Sequence, residues 1–497
     1  MSLSKSIIHG SLWSISGVMI DKIFGFIVFL LLARLLSPEE FGIAALSLVF
    51  IEIAQVIARC GITDAIVKSK KFLPFMADTA FITSISIGAI FTCFFFLMSP
   101  IAGIIYKSEQ IENIIKLMSL IFVMNSLGMV HEGYITRTFG FKALAVRNFT
   151  GTIMGGIVAI IMAFNGYGVW ALVIQRLIIV TWNTIIVWIS HPYRPQLRFS
   201  KRASSQMIKF GASVMSSNFI WILNSRLHEL IIGYFLSPQA VGYFRIAWRG
   251  LEMIIELTLR PISRVAYATF AKLQSNPEKF SKMYSYFILT SSLITFPAFI
   301  GSSIVAPELV TTVFGQQWAM SGEVMQILCL LVVPITLNIF IGSALGATGH
   351  PAQMNKLAIT HLFVNGLLTV IGVQYGLKTV AILHTIGSYI ILPYACYLVS
   401  KYSYANIMLN LKSIIIPSVS TLIMAGVLMG MNFFLLENIS TIPKLIIIIL
   451  TGASIYSLIT IYLARKYLGH FFLSLSGSLP PRIAKLASYI FISKQGV

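Results

Sequence analysis

Apolar runs of twenty residues and more follow one another from near the N-terminus to about residue 465, parted by short polar turns. As helices, each is long enough to cross the roughly 30 Å hydrocarbon core of a bilayer. In hydrocarbon every backbone N–H and C=O must be satisfied inside the protein, so spanning elements are helices or the strands of a closed barrel. Runs this continuous exclude barrel strands, which alternate in polarity over roughly ten residues. Composition agrees, with 57% hydrophobic and 10% charged residues and a mean hydropathy of +0.87. The expected fold is an all-α polytopic membrane protein with about 14 transmembrane helices.

The first run, about 8–35, carries Asp21 and Lys22 in mid-span. It is too long for a signal-peptide core and lacks a small-x-small cleavage site, so it is expected to stay as an anchor. Ser37-Pro38 ends it, because the residue before proline leaves the helical region and proline opens the next helix. Six spans in residues 1–190 form a first lobe, and the basic, Pro-containing stretch 191–206 reads as a cytoplasmic linker. Six further spans in 207–400 form a second lobe, and 401–465 add two helices. The tail 466–497 is basic; beyond Pro480-Pro481 it reads either as an amphipathic helix on the membrane surface or as a floppy tail.

The two lobes resemble each other. LSPEEFG from Leu36 is echoed by LSPQAVG from Leu236, with Glu52 falling on Glu252, and GYGVWALV from Gly166 resembles QYGLKTVAIL from Gln374. Six is even, so each copy starts on the same side, as parallel repeats do about an axis along the membrane normal. Alternate loops differ sharply in Lys and Arg. About 24 of the 36 basic residues fall on the side of both termini, against about four (Arg34, Lys107, Lys378, Lys444) on the other, and the positive-inside rule makes the basic side cytoplasmic.

An ionisable side chain at bilayer depth costs about 2.5–3.5 kcal/mol on insertion scales, so such residues are expected to face the bundle interior or a watery cavity. Arg245, Arg249, Glu252, Glu256, Arg260 and Arg264 recur at three- and four-residue spacing and form one stripe of a helix. Glu52, Gln55, Arg59 and Thr63 make a thinner stripe on the repeat-related helix. Two matching polar faces imply a cavity between the halves, biased toward arginine in the second copy. Ser14, Gly17, Asp21 and Gly25, and Asn218, Asn224, Arg226, His228 and Glu229, are expected to add to it. The competing reading is internal neutralisation, in which Arg and Glu one turn apart form salt bridges that only pack helices. Arg176 and the pair His131-Glu132 read as isolated helix-to-helix partners or ligand contacts, and His361 and His384 as the same or as parts of a proton relay.

Other chemistry finds no support. No Walker loop, metal-ligand spacing or glycine elbow around a serine is present, so no catalytic residue, metal or cofactor is expected. Cys60, Cys93, Cys329 and Cys396 sit in apolar runs and read as buried free thiols. The net charge of +20 belongs to loops of a membrane protein and does not point to nucleic acid.

The run GSLWSISGVMIDKIFGFIVFLLLARLLSPEEFGIAALSLVFIEIAQVIARCGITDAIV, with GYGVWALVIQRL and NSRLHELIIGYFLSPQAVGYF, resembles the polysaccharide transporter family of bacterial flippases, in the branch of colanic-acid and teichuronic-acid exporters. The resemblance covers nearly the whole chain. It implies the multidrug/oligosaccharidyl-lipid/polysaccharide exporter fold, two six-helix lobes in a V plus two C-terminal helices, in the bacterial inner membrane with cytoplasmic termini. It implies no enzyme activity, and translocation of undecaprenyl-diphosphate-linked oligosaccharide by alternating access, among membrane lipids and with a polysaccharide polymerase and chain-length machinery as partners.

On that reading Arg245, Arg249, Arg260 and Arg59 would hold the pyrophosphate, because guanidinium suits phosphate. Asn218, Asn224, Gln55 and Trp221 would meet sugar, and Asp21, Glu52, Glu252 and Glu256 would pair with arginine when the site is empty. Two alternatives stand beside it. A cation-coupled multidrug antiporter of the same fold predicts a cavity of acids and aromatics, and a polytopic polymerase or ligase predicts a large external loop with basic residues.

Overall fold

A computed structural model of the chain describes residues 20–69, 73–434 and 439–467. Ser14, Gly17 and the tail beyond residue 467, all part of the expectations above, lie outside the described residues. Helix α1 occupies 20–35 of them. There follow α2 (Pro38–Ala58), α3 (Ile62–Lys68), α4 (Pro74–Tyr106), α5 (Glu109–Met118), α6 (Leu120–Arg137), α7 (Phe141–Phe164), α8 (Val169–Ser190) and α9 (Lys201–Phe235). The chain continues through α10 (Pro238–Leu273), α11 (Pro277–Phe314), α12 (Ala319–Leu328), α13 (Val332–Ala347), α14 (Pro351–Gly372), α15 (Leu377–Tyr402), α16 (Ile407–Phe434) and α17 (Thr441–Tyr467).

The protein is an all-α polytopic membrane protein, and among the described residues 11 stretches are long and apolar enough to cross a membrane. Helices α9 and α10, with 35 and 36 residues, have the length and fall short in apolarity, because they carry the charges singled out above. Cys329 is buried and Cys60 and Cys396 are half-buried, as apolar surroundings suggest; Cys93 is exposed on α4, contrary to expectation.

The LSP signature is a helix start. Ser37 Oγ accepts from the Glu40 backbone N–H at 3.3 Å while the Glu40 carboxylate accepts from the Ser37 N–H at 2.7 Å, and Pro38 opens the helix. Two orphan donors are thereby satisfied reciprocally. At the repeat, Ser237 Oγ accepts from Ala240 N–H at 3.1 Å, and alanine in place of glutamate leaves only half of the box.

Two compact units divide the described chain. One contains the residues up to Arg245 together with Thr369–Leu377; the other contains Ile246–Leu368 and the residues from Lys378 on. In the first unit α2 lies along α9, and the two LSP starts touch. A Cβ on Gly42 would come within 1.6 Å of the Pro238 carbonyl oxygen, and one on Gly242 within 2.0 Å of that of Pro38. At the other end of α2 the span breaks at Cys60 and Gly61, both with positive φ (44° and 57°), before resuming as α3. A Cβ on Gly211 of α9 would meet the Cys60 carbonyl oxygen at 1.6 Å. Only glycine admits two backbones this close.

Of the stretch 191–206 read as a linker, 191–200 is a non-helical strap fixed to the first unit, whereas 201–206 already belongs to α9. Asp78 Oδ1 accepts from Tyr193 OH at 2.8 Å and from Gln196 N–H at 3.0 Å, and Ser200 N–H donates to Thr79 Oγ1 at 3.1 Å. Burial, and secondarily the hydrogen bond to Asp78, pushes the Tyr193 hydroxyl pKa up. Burial, and secondarily Arg194, pushes the neighbouring His191 down. In the second unit Leu259, Phe270, Phe280, Tyr284, Phe287 and Phe340 build the main core. There α16 and α17 pack on α11, with Tyr456 OH donating to the Leu293 carbonyl at 2.9 Å.

Candidate functional site

The α2–α9 contact in the first unit holds charge at mid-length. Arg226 Nε of α9 lies 2.8 Å from Glu52 Oε2 of α2, and its Nη1 donates to Glu229 Oε1 at 2.8 Å. The second oxygen of Glu229 accepts from Arg245 Nη1, in the first turns of α10, at 2.5 Å. Glutamate, arginine, glutamate and arginine from three helices thus form one chain. Glu229 is its most enclosed member, with 4% of its side chain exposed against about a fifth for the others. A carboxylate this buried is tolerable because both oxygens are paired.

Arg176 of α8, expected to stand alone, belongs to the same group and feels the charges of Glu52, Arg59 and Arg245. Arg59 itself caps the C-terminal end of α2. Three enclosed arginines against two glutamates leave an excess of positive charge inside the unit, and Arg59 adds to it from an exposed position. The contact of Arg226 Nε with Glu52 is an ion pair at 2.8 Å without the angle of a hydrogen bond. Gln55 Nε2, one turn from Glu52, is buried without an acceptor. A buried amide donor without an acceptor, beside surplus guanidinium, makes a site suited to an anionic, oxygen-rich ligand.

The other predicted residues are placed as follows. Arg249 pairs with Glu252 on its own helix at 3.1 Å, and Arg260 approaches Glu256 at 4.0 Å, all four substantially exposed and all in the second unit. Asp21 meets no arginine among the described contacts; it accepts from Thr152 Oγ1 of α7 at 2.6 Å. Asn218 and Trp221 are exposed on α9. Asn224, five residues before Glu229, points about 140° away from it around a helix turning about 100° per residue. His228 turns to Thr369, Nδ1 to Oγ1 at 2.8 Å, within the first unit. Glu132 pairs with Arg147 at 3.2 Å, and His131 Nε2 lies 3.1 Å from the Tyr193 carbonyl of the strap.

Arg226, Glu229 and Arg176 are therefore the members of the cluster that sequence left outside the anion-binding set. Arg226 and Glu229 signal themselves through their three-residue spacing, but their partners on α2 and α10 are set by helix crossing alone. Among the described residues no group of three or more His, Cys, Asp or Glu is disposed to hold a metal ion.

Comparison with known proteins places this arrangement. The pattern of a family described as polysaccharide biosynthesis protein matches residues 31–323. The lipopolysaccharide biosynthesis protein WzxC of Escherichia coli (strain K12) is 26% identical over 407 residues, 79% of this chain and 82% of that protein. The teichuronic acid biosynthesis protein TuaB of Bacillus subtilis (strain 168) is 23% identical over 436 residues, 87% of this chain and 90% of its own length. Among solved structures, the lipid II flippase MurJ in an inward closed conformation superimposes with a TM-score of 0.76 at 16% identity. That match covers 92% of this chain and 99% of the other, and the fold is shared.

Proposed function

The chain belongs to the polysaccharide biosynthesis protein family, and we propose that it is a flippase carrying undecaprenyl-diphosphate-linked oligosaccharide across the bacterial inner membrane for surface polysaccharide assembly. The observation that carries this reading is the enclosed network of Arg176, Arg226 and Arg245 with Glu52 and Glu229, which leaves positive charge in surplus, with the exposed Arg59 beside it and Gln55 Nε2 buried without an acceptor. A lipid pyrophosphate offers what the cluster lacks, several anionic oxygens in a geometry guanidinium groups bind in pairs. Glu52 and Glu229 hold the arginines while no substrate is bound and yield them when the pyrophosphate arrives. Arg249 and Arg260, paired on their own helix, serve as secondary contacts for the anion.

Alternating access then requires α2 to part from the start of α10 at Gly42 and from α9 at Gly211 in turn. The excess of Lys and Arg in alternate loops supports cytoplasmic termini and an inner-membrane location. The same surplus of cations argues against a multidrug antiporter that must bind cationic drugs. The chain transports its substrate without changing it, handing it to polymerase and chain-length machinery on the far side.

The test replaces Arg226 and Arg245 singly by alanine in a polysaccharide-producing host lacking its own copy of the protein. Surface polysaccharide per copy of membrane-inserted protein is expected to vanish for both variants, with partial return for Arg245→Lys. Full export by both alanine variants would sink the pyrophosphate assignment.

A further inference from the structure

Away from the arginine cluster, at the end of the first unit where α3 stops and α9 begins, lies a cavity of about 180 Å³. Its floor is apolar, formed by Ala65, Met76, Ala203 and Met207, which belong to or adjoin the cluster of Ile62, Ile66, Ala77 and Val130. Its rim is basic and polar. Lys68 extends over the Phe210 ring, Nζ 4.4 Å from the centroid, and Gln206 and Ser69 complete the opening. Arg202, exposed, precedes Gln206 by one turn and adjoins the lining residue Ala203, outside the lining itself.

Lys68 is not a loose surface residue. Arg137 of α6 donates Nη1 to the carbonyls of Ile66, at 2.8 Å, and Ser69, capping the last turn of α3 and fixing the backbone from which Lys68 projects. No acidic residue lines the cavity among the described residues. This end of the unit also carries the strap, with Arg194 and Arg198, and the basic start of α9, Lys201, Arg202 and Lys209.

We propose that this cavity binds a lipid phosphate, with Lys68 and Arg202 on the phosphate oxygens and the first carbons of the tail lying over Met76, Met207 and Phe210. A cation resting on an aromatic face is held weakly at an exposed site and turns readily to a phosphate, which offers a full countercharge. A soluble anion leaves the apolar floor unused, and a neutral lipid leaves the two cations unanswered. The phosphate ester of a membrane lipid uses both halves. The site shares no residue with the arginine cluster, so it does not rest on the flippase reading.

The experiment is native mass spectrometry of the full-length protein in detergent, titrated separately with phosphatidylglycerol, undecaprenyl phosphate and inorganic phosphate. Each juxtamembrane cation is worth about 1 kcal/mol, so Lys68→Gln and Arg202→Gln are each expected to weaken lipid binding about fivefold. Gln206→Trp, at an exposed position on the rim, fills the mouth without touching charge and is expected to weaken it at least as much. Lys201→Gln removes the same charge from a position about 140° around α9 from Gln206 and should leave binding unchanged. Preference for phosphatidylglycerol assigns the site to bulk phospholipid, and preference for undecaprenyl phosphate assigns it to the isoprenoid carrier; either supports the proposal. Binding of inorganic phosphate alone overturns it, as does an equal loss in Lys201→Gln or wild-type lipid binding by Lys68→Gln, Arg202→Gln and Gln206→Trp. Unchanged unfolding temperatures confirm that the variants remain folded.

Discussion

Helix α10 carries the same chemistry twice, with different results. Its first turns present Arg245 to Glu229, a carboxylate with 4% of its side chain exposed and already tied to Arg226 and through it to Glu52 on a third helix. Farther along, Arg249 and Glu252 pair within the helix with 39% of each side chain exposed, and Arg260, still more open, lies 4.0 Å from Glu256. Residue types scarcely differ between the two stretches, but Arg245 finds its glutamate on another helix whereas Arg249 and Arg260 find theirs on α10 itself. What differs is whether another helix crosses there and shuts the pair in, because exposed pairs contribute only about 0–1 kcal/mol whereas removing one partner from a buried pair costs about 3–5 kcal/mol. A charged stripe is thus an offer of function that only the enclosed part takes up.

The hardest test of that contrast removes Arg226. Arg226→Ala strands Glu52 and Glu229 together, and unfolding in detergent is expected to lose about 3–5 kcal/mol, with translocation of lipid-linked oligosaccharide into reconstituted vesicles abolished. The same change at Arg249 is expected to cost under about 1 kcal/mol and to leave measurable transport. Comparable losses at the two sites would erase the distinction between an enclosed network and an open stripe.

A milder change sharpens the contrast from the ligand's side. Glu229→Gln keeps a hydrogen-bonding side chain in place but no longer competes as an anion for Arg226 and Arg245. Binding of a pyrophosphate-bearing lipid, measured by native mass spectrometry, is expected to tighten about tenfold, the equivalent of about 1.4 kcal/mol, while turnover falls because the arginines have no carboxylate to return to. Weaker binding in this variant would mean that Glu229 positions the arginines for the ligand and does not vie with it.

The sequence reveals this architecture unevenly, for physical reasons. Apolar length is additive along the chain, so the all-helical membrane fold can be read directly; α9 and α10 stand out in sequence and structure alike because their charges spoil their apolarity. The LSP echo is visible as a repeat, and its capping box follows from Ser37 and Glu40. That Gly42 and Gly242 exist to let the two starts touch is not visible, since close approach depends on how helices cross. The same limit governs the site. Glu52, Arg59, Gln55 and Arg245 are singled out by spacing, but Arg226 and Glu229 read as one more polar pair and Arg176 as a lone cation until α2, α8, α9 and α10 are brought together. Asp21 shows the converse, a mid-span carboxylate whose partner is the hydroxyl of Thr152.

The smallest expected effect lies at Glu252 and Glu256, and it probes the surroundings of α10 most directly. If the exposed part of the stripe faces water, a pair one turn apart is worth about 0.2–0.5 kcal/mol, and Glu252→Gln or Glu256→Gln should change unfolding by no more than that. The change should also fade at 1 M salt, where the Debye length shrinks to about 3 Å. If the same stretch faces hydrocarbon, the substitution leaves an arginine uncompensated at bilayer depth, where insertion scales set a cost of about 2.5–3.5 kcal/mol that salt cannot screen. A small, salt-sensitive loss keeps the two stretches of α10 distinct, as side chains in water and side chains in a closed network. A large, salt-insensitive loss would make Arg249 and Arg260 dependent on their glutamates in the way Arg226 and Arg245 are.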